Sequence, residues 1–210
     1  MILSHEIINY LKENYPEHAL KVDGNVFDKD YFNTYSDKVA LLGGVISLVS
    51  DFGEPFILTW FPNEVRMMSY TGFTLPNDCS DLFAATRFYS IGFQCVNTGN
   101  VTNMDAMFYN CQAKKLDLRT FDTSKVTDMS SMFCECEATS IDLRSFNTSK
   151  VADMSGMFLT SQIQVLKIPY FQCKFDDYEK SFRNSEINTI ILPDQTLTNF
   201  TADQAKLLFR

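Results

Sequence analysis

Only two histidines, His5 and His18, stand in the 210 residues, both near the N-terminus. A metal site or nucleophile relay built on histidine therefore has little to draw on. His5-Glu6 begins like a zinc-protease helix, but Asn9 occupies the place where a second histidine is required. No G-x-x-x-x-G-K-[ST] loop and no G-x-G-x-x-G is present, so nucleotide binding has no support, and Gly43-Gly44 reads as a turn or a bulge. Apolar runs are short, well under the roughly 20 residues of a membrane span. Met1 to Lys12 mixes Ser4, His5, Glu6 and Asn9 with its aliphatics and lacks a basic stretch followed by an apolar core; the expected location is the cytosol.

Positive charge is scarce as well: 18 Lys and Arg face 26 Asp and Glu, a net charge of −8. That balance opposes attraction to phosphate backbones or anionic lipid, so no direct nucleic-acid contact is expected. The deficit is concentrated at the start, where residues 1–92 hold 12 acids against 6 bases. With 45% hydrophobic and 21% charged residues the composition is globular and can bury a sizeable core.

The centre is repetitive. Phe121 to Ser145 reads FDTSKVTDMSSMFCECEATSIDLRS, Phe146 onward FNTSKVADMSGMFLTSQIQVLKIP, and Val96 onward VNTGNVTNMDAMFYNCQAKKLDLRT, a period of 25 residues. Matched columns are Val101/Val126/Val151, Met104/Met129/Met154, Met107/Met132/Met157, Phe108/Phe133/Phe158, Leu116/Ile141/Leu166 and Leu118/Leu143/Ile168. Weaker copies extend to Leu82-Phe83, Ile91 and Phe93 upstream, and to Phe171 and to Phe182, placed in the Met157 column, downstream. Val126, Met129, Met132 and Phe133 share one side of a short helix-like arm, which Thr123, Ser124 or Thr127 could cap, and Ile141-Asp142-Leu143 alternates as a strand does. One unit has no second layer against which to bury these side chains; stacked copies supply it.

The fold class expected is α/β: a leucine-rich-repeat-like solenoid of about five 25-residue units over 71–193, each a helix-like arm plus a short parallel strand. Residues 1–70 are expected to form an N-terminal α/β cap or small interaction domain. Ile7, Ile8, Leu11 and Tyr15 mark an amphipathic helix there, and Val45–Val49, Phe56–Phe61 and Val65–Tyr70 mark strands, the first two joined through 51–55. Residues 194–210 are expected to be a C-terminal capping helix, opened by Thr201-Ala-Asp-Gln204.

The pattern V-T-x-M-x-x-M-F, a Cys, L-D-L and then F-x-T-S, from Val96 to Ile168, resembles the 25-residue repeats of the BspA-like leucine-rich-repeat surface proteins, including the Mycoplasma-type lipoprotein repeats. The resemblance implies a repeat scaffold used for binding, with no catalytic residues. Many such proteins are exported, so an export signal removed from this chain would place it at the cell surface as an adhesin or lipoprotein.

The six cysteines are expected as reduced thiols in the cytosol. Cys134-Glu-Cys136 with Cys111 could hold a soft metal, yet zinc sites prefer two C-x2-4-C pairs. Cys111, Cys136 and Ser161 instead share one repeat column that asks for a small buried side chain. No metal, cofactor, enzymatic activity or small-molecule substrate is expected; a thiol enzyme would require a cysteine of lowered pKa.

What remains is the outer surface of the stack. Asp117, Asp142 and Lys167 come from strand centres, with Arg119 and Arg144 beside them. These are the candidate partner-binding residues, for a protein partner, with Tyr70, Tyr89 and Tyr170 as aromatic anchors. The bland reading of the same charges is a self-paired, solubilising face. The expected function is a non-enzymatic protein–protein interaction module. A second reading takes the acidic first half as a phage or mobile-element inhibitor, of anti-CRISPR kind, covering a basic nucleic-acid site on a host protein.

Overall fold

The structure is a computed structural model that describes residues 5–14, 17, 19–23, 45–48, 56–61, 64–69, 73–94, 96–172 and 178–209. The expected turn at 51–55, Gly43-Gly44, His18, Tyr15, Tyr70, Cys95 and Cys173 lie outside the described residues. The elements are α1 (His5–Asn14), β1 (Ala19–Asp23), β2 (Val45–Leu48), β3 (Phe56–Phe61), β4 (Glu64–Ser69), β5 (Ser90–Gln94), β6 (Lys115–Asp117), β7 (Ser140–Asp142), β8 (Val165–Lys167), α2 (Tyr178–Phe182), β9 (Thr189–Ile191), β10 (Thr196–Thr198) and a 3-10 helix (Ala202–Leu208). The chain is α/β, with short parallel strands in sheets and a buried aromatic core.

One sheet runs β2-β3-β4-β1-β5-β6 and the other β10-β9-β8-β7. The antiparallel β2–β3 and β3–β4 pairs agree with the alternation in the sequence. Strand β1 was not expected. It inserts parallel to both β4 and β5, joining the N-terminal strands to those of the repeats. Along β5, β6, β7, β8 and β9 the inward residues Ile91, Leu116, Ile141, Leu166 and Ile190 are all buried.

Behind them runs a column of phenylalanines. Phe83 and Phe108 lie 5.4 Å apart between ring centroids, Phe108 and Phe133 5.7 Å, Phe133 and Phe158 5.7 Å, and Phe158 and Phe182 5.2 Å. The central rings are within a few degrees of parallel, as equivalent residues of successive units stand one above another. Each such pair adds about 0.5–1.5 kcal/mol beyond the area it buries. Phe182 therefore continues the phenylalanine column, not the Met157 column in which the period of 25 places it. Phe158 N–H donates to Ser181 O at 2.8 Å, so Ser181 stands where Met157 stands one unit earlier, and the last unit is one residue shorter.

The arm expected to be helix-like is a run of turns. In Met104–Cys111 the N–H groups of Met104, Ala106, Phe108 and Asn110 donate to carbonyls of the next unit (Asp128, Ser130, Met132 and Cys134) at 2.8–2.9 Å. Those of Met107, Tyr109 and Cys111 reach back three residues within their own unit, at 3.2, 2.9 and 3.3 Å. An α-helix would direct every N–H four residues back; here alternate groups serve the neighbouring layer. The turns require left-handed backbone at two places per unit: Ala106 (φ 52°) and Asn110 (φ 48°), Ser131 (52°) and Glu135 (58°), Gly156 (64°) and Thr160 (53°). Spacing of three suits both structures, which is why the sequence pattern alone favours the helix.

Thr123 likewise caps no helix. It is buried, accepts from Asn147 N–H (2.8 Å) and donates to Asn147 O (3.0 Å), stitching its layer to the next. Thr98 does the same to Asp122, and Thr148 accepts from Gln172 N–H at 2.8 Å. At the C-terminal end, β10 pairs antiparallel with β9 and covers its edge. The segment beyond it is a 3-10 helix rather than an α-helix; Thr201 N–H donates to Gln204 Oε1 as the capping-box spacing implies, and Ala205 and Leu208 are buried. Phe200 packs on Phe182 at 5.4 Å, closing the ring column.

Candidate functional site

The pleat that buries Ile91, Leu116, Ile141 and Leu166 turns the residues after them outward, so strand register alone builds the outer row. Gly92 pairs with Asp117, Asp142 with Lys167, and Lys167 with Ile191. On the other side Gly92 pairs with Lys21, which pairs with Arg66. All five candidate binding residues fall on this strand face or its rim.

Their charges are largely engaged with one another. Arg119 Nε and Nη2 donate to Asp117 Oδ1 and Oδ2 at 2.8 and 2.7 Å. Arg144 does the same to Asp142 at 2.9 and 2.7 Å. These bidentate bonds hold both carboxyls below the usual aspartate range and raise both guanidinium groups. The motif is local, because Asp and Arg stand two apart and the Asp also receives the Arg backbone N–H (3.4 and 3.3 Å). In the third unit Pro169 replaces the arginine, and Lys167 instead lends its charge to Asp142.

The row is interrupted at Gly92. A side chain built there would meet nothing within 4 Å. The gap forms an open notch of about 240 Å³ on the outer face, lined by residues 90–92, Gln94 and residues 115–117. Tyr89, next in the chain, is 57% exposed. Tyr170 is not a comparable anchor: it is half-buried, its hydroxyl donates to Asp194 at 2.6 Å, and it accepts from Gln195 Nε2 at 2.9 Å. The notch was missed at sequence level; the signal was the single Gly in a column otherwise filled by Asp, Asp and Lys.

The other candidate chemistry is placed elsewhere. His5 Nε2 donates to Ser80 O at 2.7 Å. Burial pushes the Cys79 thiol up to about 12 and raises Cys134. Cys111 is lowered, chiefly by a hydrogen bond from the Cys136 thiol, and Cys136 is raised in turn; both thiols are fully buried. Among the described residues no three His, Cys, Asp or Glu side chains converge as metal ligands, and no helix is long and apolar enough to cross a membrane.

Residues 77–189, more than half of the chain, match the family model described as "Mycoplasma protein of unknown function, DUF285". The chain belongs to this family. The DUF285 span takes in the arms, β5 to β8, the start of β9, the notch and both Asp–Arg pairs, and leaves α1, β1–β4, β10 and the 3-10 helix outside it. No curated protein and no solved structure matches the chain.

Proposed function

We propose that this chain is a non-enzymatic protein-binding module: a leucine-rich-repeat-like solenoid of about five units, of the BspA-like kind, that offers the outer strand face at β5 and β6 to another protein. The observation that carries the reading is the Gly92 notch, an open recess in a row of paired charges, lined by Ser90, which follows the exposed Tyr89 in the chain. Interfaces take most of their energy from a few aromatic or arginine anchors seated in such recesses. Asp117 at the rim, with the Arg119 that pairs with it, would set register rather than affinity, since exposed pairs contribute little. The layers are fixed by backbone bonds and stacked rings before any partner arrives, so little ordering is left to oppose association.

The test is affinity capture from the source cell's lysate at low and high salt, then calorimetry of each purified candidate against wild type, Gly92→Phe and Arg119→Ala. Filling the notch with Phe is expected to weaken binding at least tenfold, while Arg119→Ala changes it only a few-fold and mainly at low salt. A partner that binds all three forms equally would overturn the assignment of this face.

A further inference from the structure

One buried column does not take part in that surface. Thr86, Cys111, Cys136 and Ser161 occupy equivalent places in four successive units, and all four are buried. Their backbones form a parallel ladder: Gln112 N–H donates to Thr86 O at 2.8 Å, Glu137 N–H to Cys111 O at 2.9 Å, and Gln162 N–H to Cys136 O at 2.8 Å. Backbones paired in this way stand about 4.8 Å apart, within the roughly 4.4–6.8 Å between Cα atoms that a disulfide spans. Thr86 Oγ1 lies 3.2 Å from Cys111 Sγ in the layer before it, and Cys136 stands in the layer after it, where Glu137 N–H donates to Cys111 O.

Neither of the other described cysteines has a thiol above or below it. Cys79 heads the methionine column of Met104 and donates to Pro76 O at 3.2 Å, and Cys134 lies between Tyr109 and Leu159.

We propose that Cys111 and Cys136 are a cross-linking site: when the chain folds in the presence of a disulfide oxidant of the glutathione type, they close an interlayer disulfide inside the core. The Cys111 thiolate attacks one sulfur of the oxidant, forming a mixed disulfide and releasing one glutathione thiolate. The Cys136 thiolate then attacks the Cys111 sulfur and releases the second. Two protein thiols are oxidised, one small disulfide is reduced to two thiols, and the two protons pass to the departing thiolates. Both cysteines have 0% exposure in the folded chain, so the exchange belongs to folding, and the packed layers shield the bond afterwards.

The full chain is unfolded in denaturant with reductant, then refolded in mixed oxidised and reduced glutathione, with reduced glutathione alone as control. Refolding is verified by circular dichroism, and digests made without reduction are read by tandem mass spectrometry. The expected result is loss of two thiols, a linked pair of peptides joined through Cys111 and Cys136, and a melting temperature roughly 5–10 °C above the reduced protein. Cys136→Ser, which the column tolerates one layer on at Ser161, is expected to fold and to lose both the link and the shift. Refolded protein that keeps both thiols free, a pairing of either with another cysteine, or a melting temperature that does not rise overturns the proposal.

Discussion

Phe108 and Phe133, 25 positions apart in the chain, lie with their rings 1° from parallel and 5.7 Å between centroids. That relationship is the fold in miniature: identical residues one period apart become neighbours in space. Because Phe133 also stacks on Phe158, its ring is gripped on both faces. Phe133→Ala removes both contacts and leaves a ring-sized hole, at a cost of about 3–5 kcal/mol. Urea unfolding followed by circular dichroism checks this, and a loss under 1 kcal/mol would contradict a continuous interior.

Thr123 makes the polar counterpart of that contact. Thr123→Val keeps the shape but leaves the N–H and C=O of Asn147 without their hydroxyl, costing about 1–3 kcal/mol. Thr123→Ser, which retains the hydroxyl, is expected to lose less. Denaturant midpoints give the ranking, and hydrogen exchange at the Asn147 amide should quicken only in the valine variant.

Ser161 presents the opposite case, a buried hydroxyl with no hydrogen-bond partner among the described residues. Removing it relieves an unmet polar group, so Ser161→Ala is expected to raise stability by about 1 kcal/mol. A drop on the same unfolding curve would mean that the hydroxyl is satisfied.

Asp117 and Asp142 have folded pKa values below the usual range because Arg119 and Arg144 bind their ionised forms. A depressed folded value adds stability above the unfolded aspartate pKa of about 3.9, and that contribution disappears as pH falls through the folded value. The Arg119 and Asp117 side chains are 69% and 40% exposed, so solvent screening leaves this pair only a small contribution. Carboxyl titration by NMR should show both aspartates below the ordinary range, and Arg119→Ala should move Asp117 upward far more than Asp142.

Much of the interior could be read from the chain, and the residues show why. Phe108, Met104 and Leu116 recur at a fixed period, and repetition at that length can bury its apolar positions only by stacking. The turn arms could not be read. Ala106, Ser131 and Glu135 adopt left-handed backbone although none is a residue that favours it; the bonds from alternate N–H groups to the next unit hold them there. Phe182 was assigned one column away because a single missing residue shifts the register, which the ring contact with Phe158 and the bond from Phe158 N–H to Ser181 O reveal. Of the candidate surface, the Asp–Arg pairs followed from local spacing. The notch did not, since a glycine means little until the rows on either side of it are known.

The sequence by itself determined which apolar residues of the repeats are inside, because burial follows from apolar positions that recur along the chain. The tertiary structure decided what the backbone does between them and where the outer row is broken. Those outcomes depend on partners 24 or 25 residues distant, and on β1, whose pairing with both β4 and β5 no local pattern encodes.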